Sequence, residues 1–111
     1  MATGEGQMFV EIWEALEPEE RVSFVTGFSL PTPHEMRAYY FAHVLSKGSS
    51  PKFRLYKKNI VLLTFREHQI WDNARYLIRD NPLWIPLFNL EQELKEELKE
   101  IRNDNNLPRT D

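Results

Sequence analysis

Residues 39–72, YYFAHVLSKGSSPKFRLYKKNIVLLTFREHQIWD, constrain this chain more than any other stretch, because two histidines, an asparagine and an aspartate fall there at spacings that imply particular secondary structure. His43 closes an aromatic, strand-like run. Fifteen residues separate it from Asn59, eight separate Asn59 from His68, and three separate His68 from Asp72. Residues four apart share a helix face, so a helix through His68 and Asp72 aims an imidazole nitrogen and a carboxylate at one cation. Such a pair is half of a metal site.

The residues around this pattern predict a hairpin followed by a helix. Alternation in Lys52-Phe53-Arg54-Leu55 turns Phe53 and Leu55 inward and the cations outward. The hairpin is expected over about 38–57, with strands at 38–45 and 52–56 and a turn containing Gly48. Lys57-Lys58-Asn59 then forms an exit loop, and the run 60–64 leads into a helix expected over about 62–78.

With these residues in view, the stretch resembles the core of the HNH endonucleases, in which a hairpin histidine, an asparagine and helix-borne histidines recur at closely similar spacings. The phrasing HVLSKG, P-x-F-R-L, N-I-V-L-L and E-H is similar to small phage-encoded members. The resemblance covers residues 8–72. It implies an α+β fold with a ββα-metal (His-Me finger) core, an N-terminal helix and a C-terminal helical extension. It also implies a metal-dependent DNA endonuclease that hydrolyses phosphodiesters. His43 is then the general base, and an imidazole titrating near neutrality suits proton abstraction. Asn59 orients His43 or braces the loop, and His68 and Asp72 hold a divalent ion. An aspartate in place of the family's last histidine favours Mg²⁺ or Mn²⁺. Where many members carry a further metal-binding residue just before the general base, this chain has Ala42.

The resemblance also gives meaning to two otherwise ordinary pairs. Many HNH proteins hold a structural zinc with two Cys-x-x-Cys pairs, the second just before the helical histidine. This chain has Ser23-x-x-Thr26 and Thr64-x-x-Glu67 in those places and no cysteine. No structural zinc is expected, and the four positions should lie together, with Phe24, Phe28, Phe65 and Trp71 packing where the metal would have been.

The net charge of -3 conceals an uneven distribution. Lys47, Lys52, Arg54, Lys57, Lys58 and Arg66 all lie within 44–66, where no acidic residue occurs. A basic centre in an otherwise acidic chain is an electrostatic footprint for phosphate, and double-stranded DNA is the partner expected. The same run also reads as a solvated charged face.

A length of 111 residues fits one domain, with its core at about 20–80. No apolar run has the length of a membrane span, and the start of the chain lacks a signal-like pattern, so a cytoplasmic location is expected, in a host cell if the chain is phage-encoded. Residues 1–6 read as a frayed end. Phe9, Ile12, Trp13 and Leu16 predict a short amphipathic helix, and 21–30 two extended pieces around Gly27. After an apolar connector at 83–88, Asn89 is a candidate N-cap for a helix at about 89–103. Its stripe of Leu90, Leu94, Leu98 and Ile101 suits the core or self-association. The alternative functions are an inactive HNH-fold DNA-binding module and a protein-interaction module.

Overall fold

The computed structural model describes residues 4–46, 53 and 55–106, with side-chain detail as far as Ile101. It is a small mixed α+β domain with helices α1 (Glu5–Glu14), α2 (Phe65–Asn73) and α3 (Ile85–Asn106) and strands β1 (Phe41–His43) and β2 (Ile60–Leu62). The strands pair antiparallel, Phe41 opposite Leu62, Ala42 opposite Val61 and His43 opposite Ile60.

A two-stranded sheet this short is not stable alone. Here both of its faces are covered. Period-two alternation sends Phe41 and Ile60 into one apolar cluster with Met8, Phe9 and Trp13 of α1. Ala42 and Val61 enter the other cluster, with Trp71 of α2 and Leu87, Leu94 and Leu98 of α3. The Phe9 and Phe41 rings stack with centroids 4.5 Å apart. On the opposite side Trp71 is fully buried, stacks on Trp84 at 6.3 Å and donates from Nε1 to the carbonyls of His43 and Val44. Burial of both indole surface and N–H makes Trp71 the joint between sheet and helices, and its truncation to alanine is of the class that costs about 3–5 kcal/mol.

Several expectations need correction. The strand that pairs with β1 is Ile60–Leu62; of the second strand expected at 52–56, the described residues Phe53, Leu55 and Tyr56 lie in no strand and Leu55 is exposed rather than inward. The first strand is shorter than 38–45, because Ala38–Tyr40 is a 3-10 turn. The cause lies in Asn59. Its buried side chain accepts from the Leu45 N–H at 2.8 Å and donates to the carbonyls of Leu45 and Phe53, tying residues 45, 53 and 59 together; the expected turn around Gly48 lies outside the described residues. The β-branched Ile60 and Val61 then take the place beside β1.

The first helix begins at Glu5, inside the segment read as frayed. The second spans Phe65–Asn73 and passes into a 3-10 turn at Arg75–Leu77. The last begins at Ile85, so Asn89 lies within it and caps nothing. Asn81 instead caps the 3-10 turn Pro82–Trp84 through the Leu83 N–H, and α3 follows directly. Pro86 is tolerated there because first-turn N–H groups have no helical partner. Leu94 and Leu98 are buried in the main core, Leu90 packs against it and Ile101 is exposed, so most of the leucine stripe packs on its own chain. No helix among the described residues is long and apolar enough to cross a membrane.

Candidate functional site

Between α1, the end of β1 and α2 opens a cleft of about 420 Å³ lined by Glu5, Phe9, Phe41, His43, Ser46, His68, Asp72 and Arg75. His43, His68 and Asp72, selected from spacing, therefore face one space. Asn59 does not line it; the asparagine braces the loop that follows β1.

The placement of His68 follows from how α2 starts. The Glu67 N–H donates to Thr64 Oγ1 at 3.2 Å and the Thr64 N–H to Glu67 Oε1 at 2.9 Å, a reciprocal cap that fixes the first turn. One residue on, His68 Nδ1 lies 2.7 Å from the Tyr39 carbonyl oxygen, while Nε2 lies 3.1 Å from Asp72 Oδ2. A carbonyl can only accept, so Nδ1 carries a proton. The Asp72 carboxylate is the main reason that the His68 imidazole titrates above its ordinary value of 6.5; partial burial opposes it and the Tyr39 carbonyl adds to it.

In the neutral ring the same arrangement leaves an Nε2 lone pair beside a carboxylate oxygen. An imidazole oriented by a backbone carbonyl next to a hard oxygen donor is a pair of donors that could hold a divalent ion. The pair offers two donors, and among the described residues no group of three His, Cys, Asp or Glu side chains is disposed around a common point. Ala42, just before His43, is fully buried, and its methyl side chain has no donor.

His43 sits on the same face of β1 as Phe41, toward α1. Its Nε2 lies 3.6 Å from Glu5 Oε2, with both side chains mostly buried, and its ring meets Phe9 edge-on at 6.3 Å. Besides Phe9 and Phe41, the polar residues Glu5, Ser46 and Arg75 line the cleft without being singled out by the motif spacing. Glu5 was legible only as the residue one turn before Phe9, on the buried side of α1.

The polar corner forms at the N-terminus of α2. Ser23 Oγ donates to Glu67 Oε1 at 2.7 Å and accepts from the Val25 and Thr26 N–H groups. Ser23, Thr64 and Glu67 thus join through side chains and Thr26 through its backbone. The aromatic part of the expectation is overturned: Phe24, Phe28 and Phe65 are exposed, and only Trp71 is buried. Hydrogen bonds hold this corner.

The basic residues divide. Lys57 pairs with Glu11 at 3.0 Å. Lys58 pairs with Glu97 and Glu93 of α3, and the Tyr56 hydroxyl donates to Glu97 at 3.0 Å. The Glu97 bond raises the Lys58 ammonium above its ordinary value, and Lys58 holds the Glu97 carboxyl below its own. Arg66 is exposed on α2. Lys47, Lys52 and Arg54 lie outside the described residues. Comparison of the chain with family models, curated proteins and solved structures gave no match.

Proposed function

We propose that the chain is a metal-dependent DNA endonuclease of HNH type, built on a ββα-metal core formed by β1, β2 and α2. The observation that carries this reading is that His43 from β1 and the His68–Asp72 pair from α2 line one cleft. Their order and spacing along the chain supply the link to the family. In this reading His43 takes the proton from the attacking water, and Glu5 beside it favours the imidazolium that results. His68 and Asp72 hold a divalent ion, whose chemistry is to neutralise charge on the scissile phosphate and the leaving oxygen. Asn59 keeps the loop after β1 closed, and so holds the strand end that carries His43. Phosphate contacts from the basic segment would position the duplex without reading its sequence.

A plasmid-nicking assay with Mg²⁺, Mn²⁺, Zn²⁺ or EDTA, run beside His43→Ala, tests the reading. Nicking should require an ion and disappear in the variant. Nicking by the purified chain that neither EDTA nor His43→Ala reduces does not come from this site and sinks the assignment. A second reading, a DNA-binding module of the same fold without catalysis, is favoured by the buried Ala42 and the two-ligand half-site. Salt-sensitive DNA binding with no nicking under any ion is its signature.

A further inference from the structure

Arg75 stands just beyond α2 and lines the same cleft as His43, His68 and Asp72. A long cationic side chain at a cleft edge is ordinarily free to sample many rotamers. This one is fixed from three directions. Its Nε donates to the Trp71 carbonyl at 2.8 Å, its guanidinium lies over the Trp71 ring 3.5 Å from the centroid, and its Nη1 pairs with Glu91 of α3. The fully buried Trp71 makes an immobile platform.

The Glu91 side of the pair needs its own explanation. Ser23, Asn59 and Glu91 are the buried polar or charged side chains among the described residues. Ser23 and Asn59 complete backbone hydrogen bonds. Glu91 touches no backbone donor through its side chain; its hydrogen bond is to Arg75. Burying an ion pair gains little over burying two apolar side chains, so docking α3 on α2 does not by itself call for one. Orienting a guanidinium does. Of the five N–H donors of Arg75, two are used inside the chain, and the side chain keeps 30% of its exposure.

We propose that Arg75 is the phosphate clamp of this cleft, donating to a non-bridging oxygen of a backbone phosphodiester, and that Glu91 is the residue that positions it. The identity of the anion as nucleic-acid phosphate rests on the nuclease reading; the immobilised donor fork rests on the geometry alone. A planar fork matches two phosphate oxygens, as an ammonium cannot. Because Glu91 largely neutralises the guanidinium, Arg75 acts at short range through direction. Its effect therefore belongs to the bound state, where charge develops on the phosphate, more than to encounter.

The direct test uses the native protein. With EDTA present, a short DNA duplex is titrated in while the Arg75 Nε–Hε signal and the His43 and His68 backbone amides are followed by NMR. Arg75 should shift and saturate together with the two amides. If the amides move and Arg75 does not, the clamp is overturned and the nuclease reading stands. If none of the three moves, both fall together.

Kinetics on the folded variants add a second readout. Arg75→Lys keeps the charge and loses the fork, and should lower kcat roughly 10- to 100-fold, the range for a lost charge-assisted hydrogen bond in a catalytic site. Glu91→Gln weakens the charge-assisted bond that anchors the guanidinium and leaves Arg75's own charge in place, so it should lower kcat about 3- to 10-fold, with KM changed less than about twofold. A purely structural pair would lower the unfolding temperature of both variants and leave kcat of the folded fraction untouched. That outcome overturns the proposal.

Discussion

The Tyr39 carbonyl oxygen, two residues before β1, lies 2.7 Å from Nδ1 of His68 on α2. A backbone atom beside the strand that bears His43 thus sets the tautomer of a side chain on the facing helix. The rest of the half-site depends on that single contact. With Nδ1 committed as a donor, only Nε2 remains to meet Asp72 or an ion, and the ring cannot turn without losing a hydrogen bond.

The first prediction concerns protons. His68 titrates above 6.5 in the folded chain, so the folded state holds this proton more tightly than the unfolded one. Stability from the pair is therefore fully present below the unfolded value and is lost as pH rises through the raised folded value. Asp72→Asn should bring the His68 titration down, seen in the ring NMR signals. It should also remove the extra stability at about pH 5 while changing little at about pH 8. An unaltered His68 titration in the variant would show that Asp72 is not the cause.

The second concerns the ion. A divalent cation needs the Nε2 lone pair, so proton and metal compete for one atom. Mn²⁺ affinity, measured calorimetrically in the absence of DNA, should fall about tenfold per pH unit below the raised His68 pKa and release a proton on binding. Affinity that is flat across this range would place the ion elsewhere.

The third concerns Asn59. Its side chain makes three hydrogen bonds to the backbone of Leu45 and Phe53 in a fully buried site. Each is worth about 1 kcal/mol, and stranded buried partners cost more, so Asn59→Ala should lose roughly 2–4 kcal/mol in denaturant unfolding. A loss under about 0.5 kcal/mol, the size usual for a substitution at a featureless surface position, would mean that residues 45 and 59 have another brace.

Asn59 also shows where the sequence was legible and where it was not. Spacing alone placed His68 and Asp72 on one helix face, because helical periodicity is a local property of the chain. The two apolar faces of the sheet likewise follow from alternation in Phe41-Ala42 and Ile60-Val61. Strand pairing is not local. Lys52 to Leu55 alternates as well as any strand, and the choice of Ile60–Leu62 rests on a hydrogen-bonding side chain fourteen residues from its partner Leu45. Glu5 escaped for the same reason, and Arg75, which follows His68 and Asp72 at helical spacing, could be placed beyond them on the helix but not against Glu91. Their role depends on α1 crossing β1 and on α3 returning to α2, and neither approach is written in local periodicity.

The fourth prediction tests the polar corner. Ser23 is buried and donates to the Glu67 carboxylate that caps α2. Ser23→Ala removes that bond and strips the Val25 and Thr26 N–H groups of their acceptor. A loss of about 1.5–3 kcal/mol is expected, the range for hydrogen bonds to charged groups. Far-UV circular dichroism of the variant should show α2 retained, since the Thr64–Glu67 cap remains. A variant as stable as the parent would leave the corner without an energetic role.

The last prediction separates the basic residues by what they already touch. Lys57 and Lys58 are held by Glu11, Glu93 and Glu97, and each must leave a carboxylate before it can meet a phosphate. Lys52 and Arg54 lie outside the described residues, in a stretch of sequence free of acidic neighbours. Each lysine or arginine that neutralises a duplex phosphate adds about -0.9 to the slope of log affinity against log salt. Lys52→Ala with Arg54→Ala should therefore make that slope shallower by nearly two such contacts and weaken binding to all sequences alike. Lys57→Ala with Lys58→Ala should change it by less than half as much, because counterions released by DNA are offset by carboxylates left bare. Fluorescence anisotropy of a labelled duplex across a salt series, with EDTA present to stop cleavage, measures both. If the second pair proves the larger contributor, the surface ion pairs open readily and the DNA path runs along α3. If the parent itself shows no salt-sensitive binding, the chain does not act on DNA, and the nuclease reading is given up for the protein-interaction module.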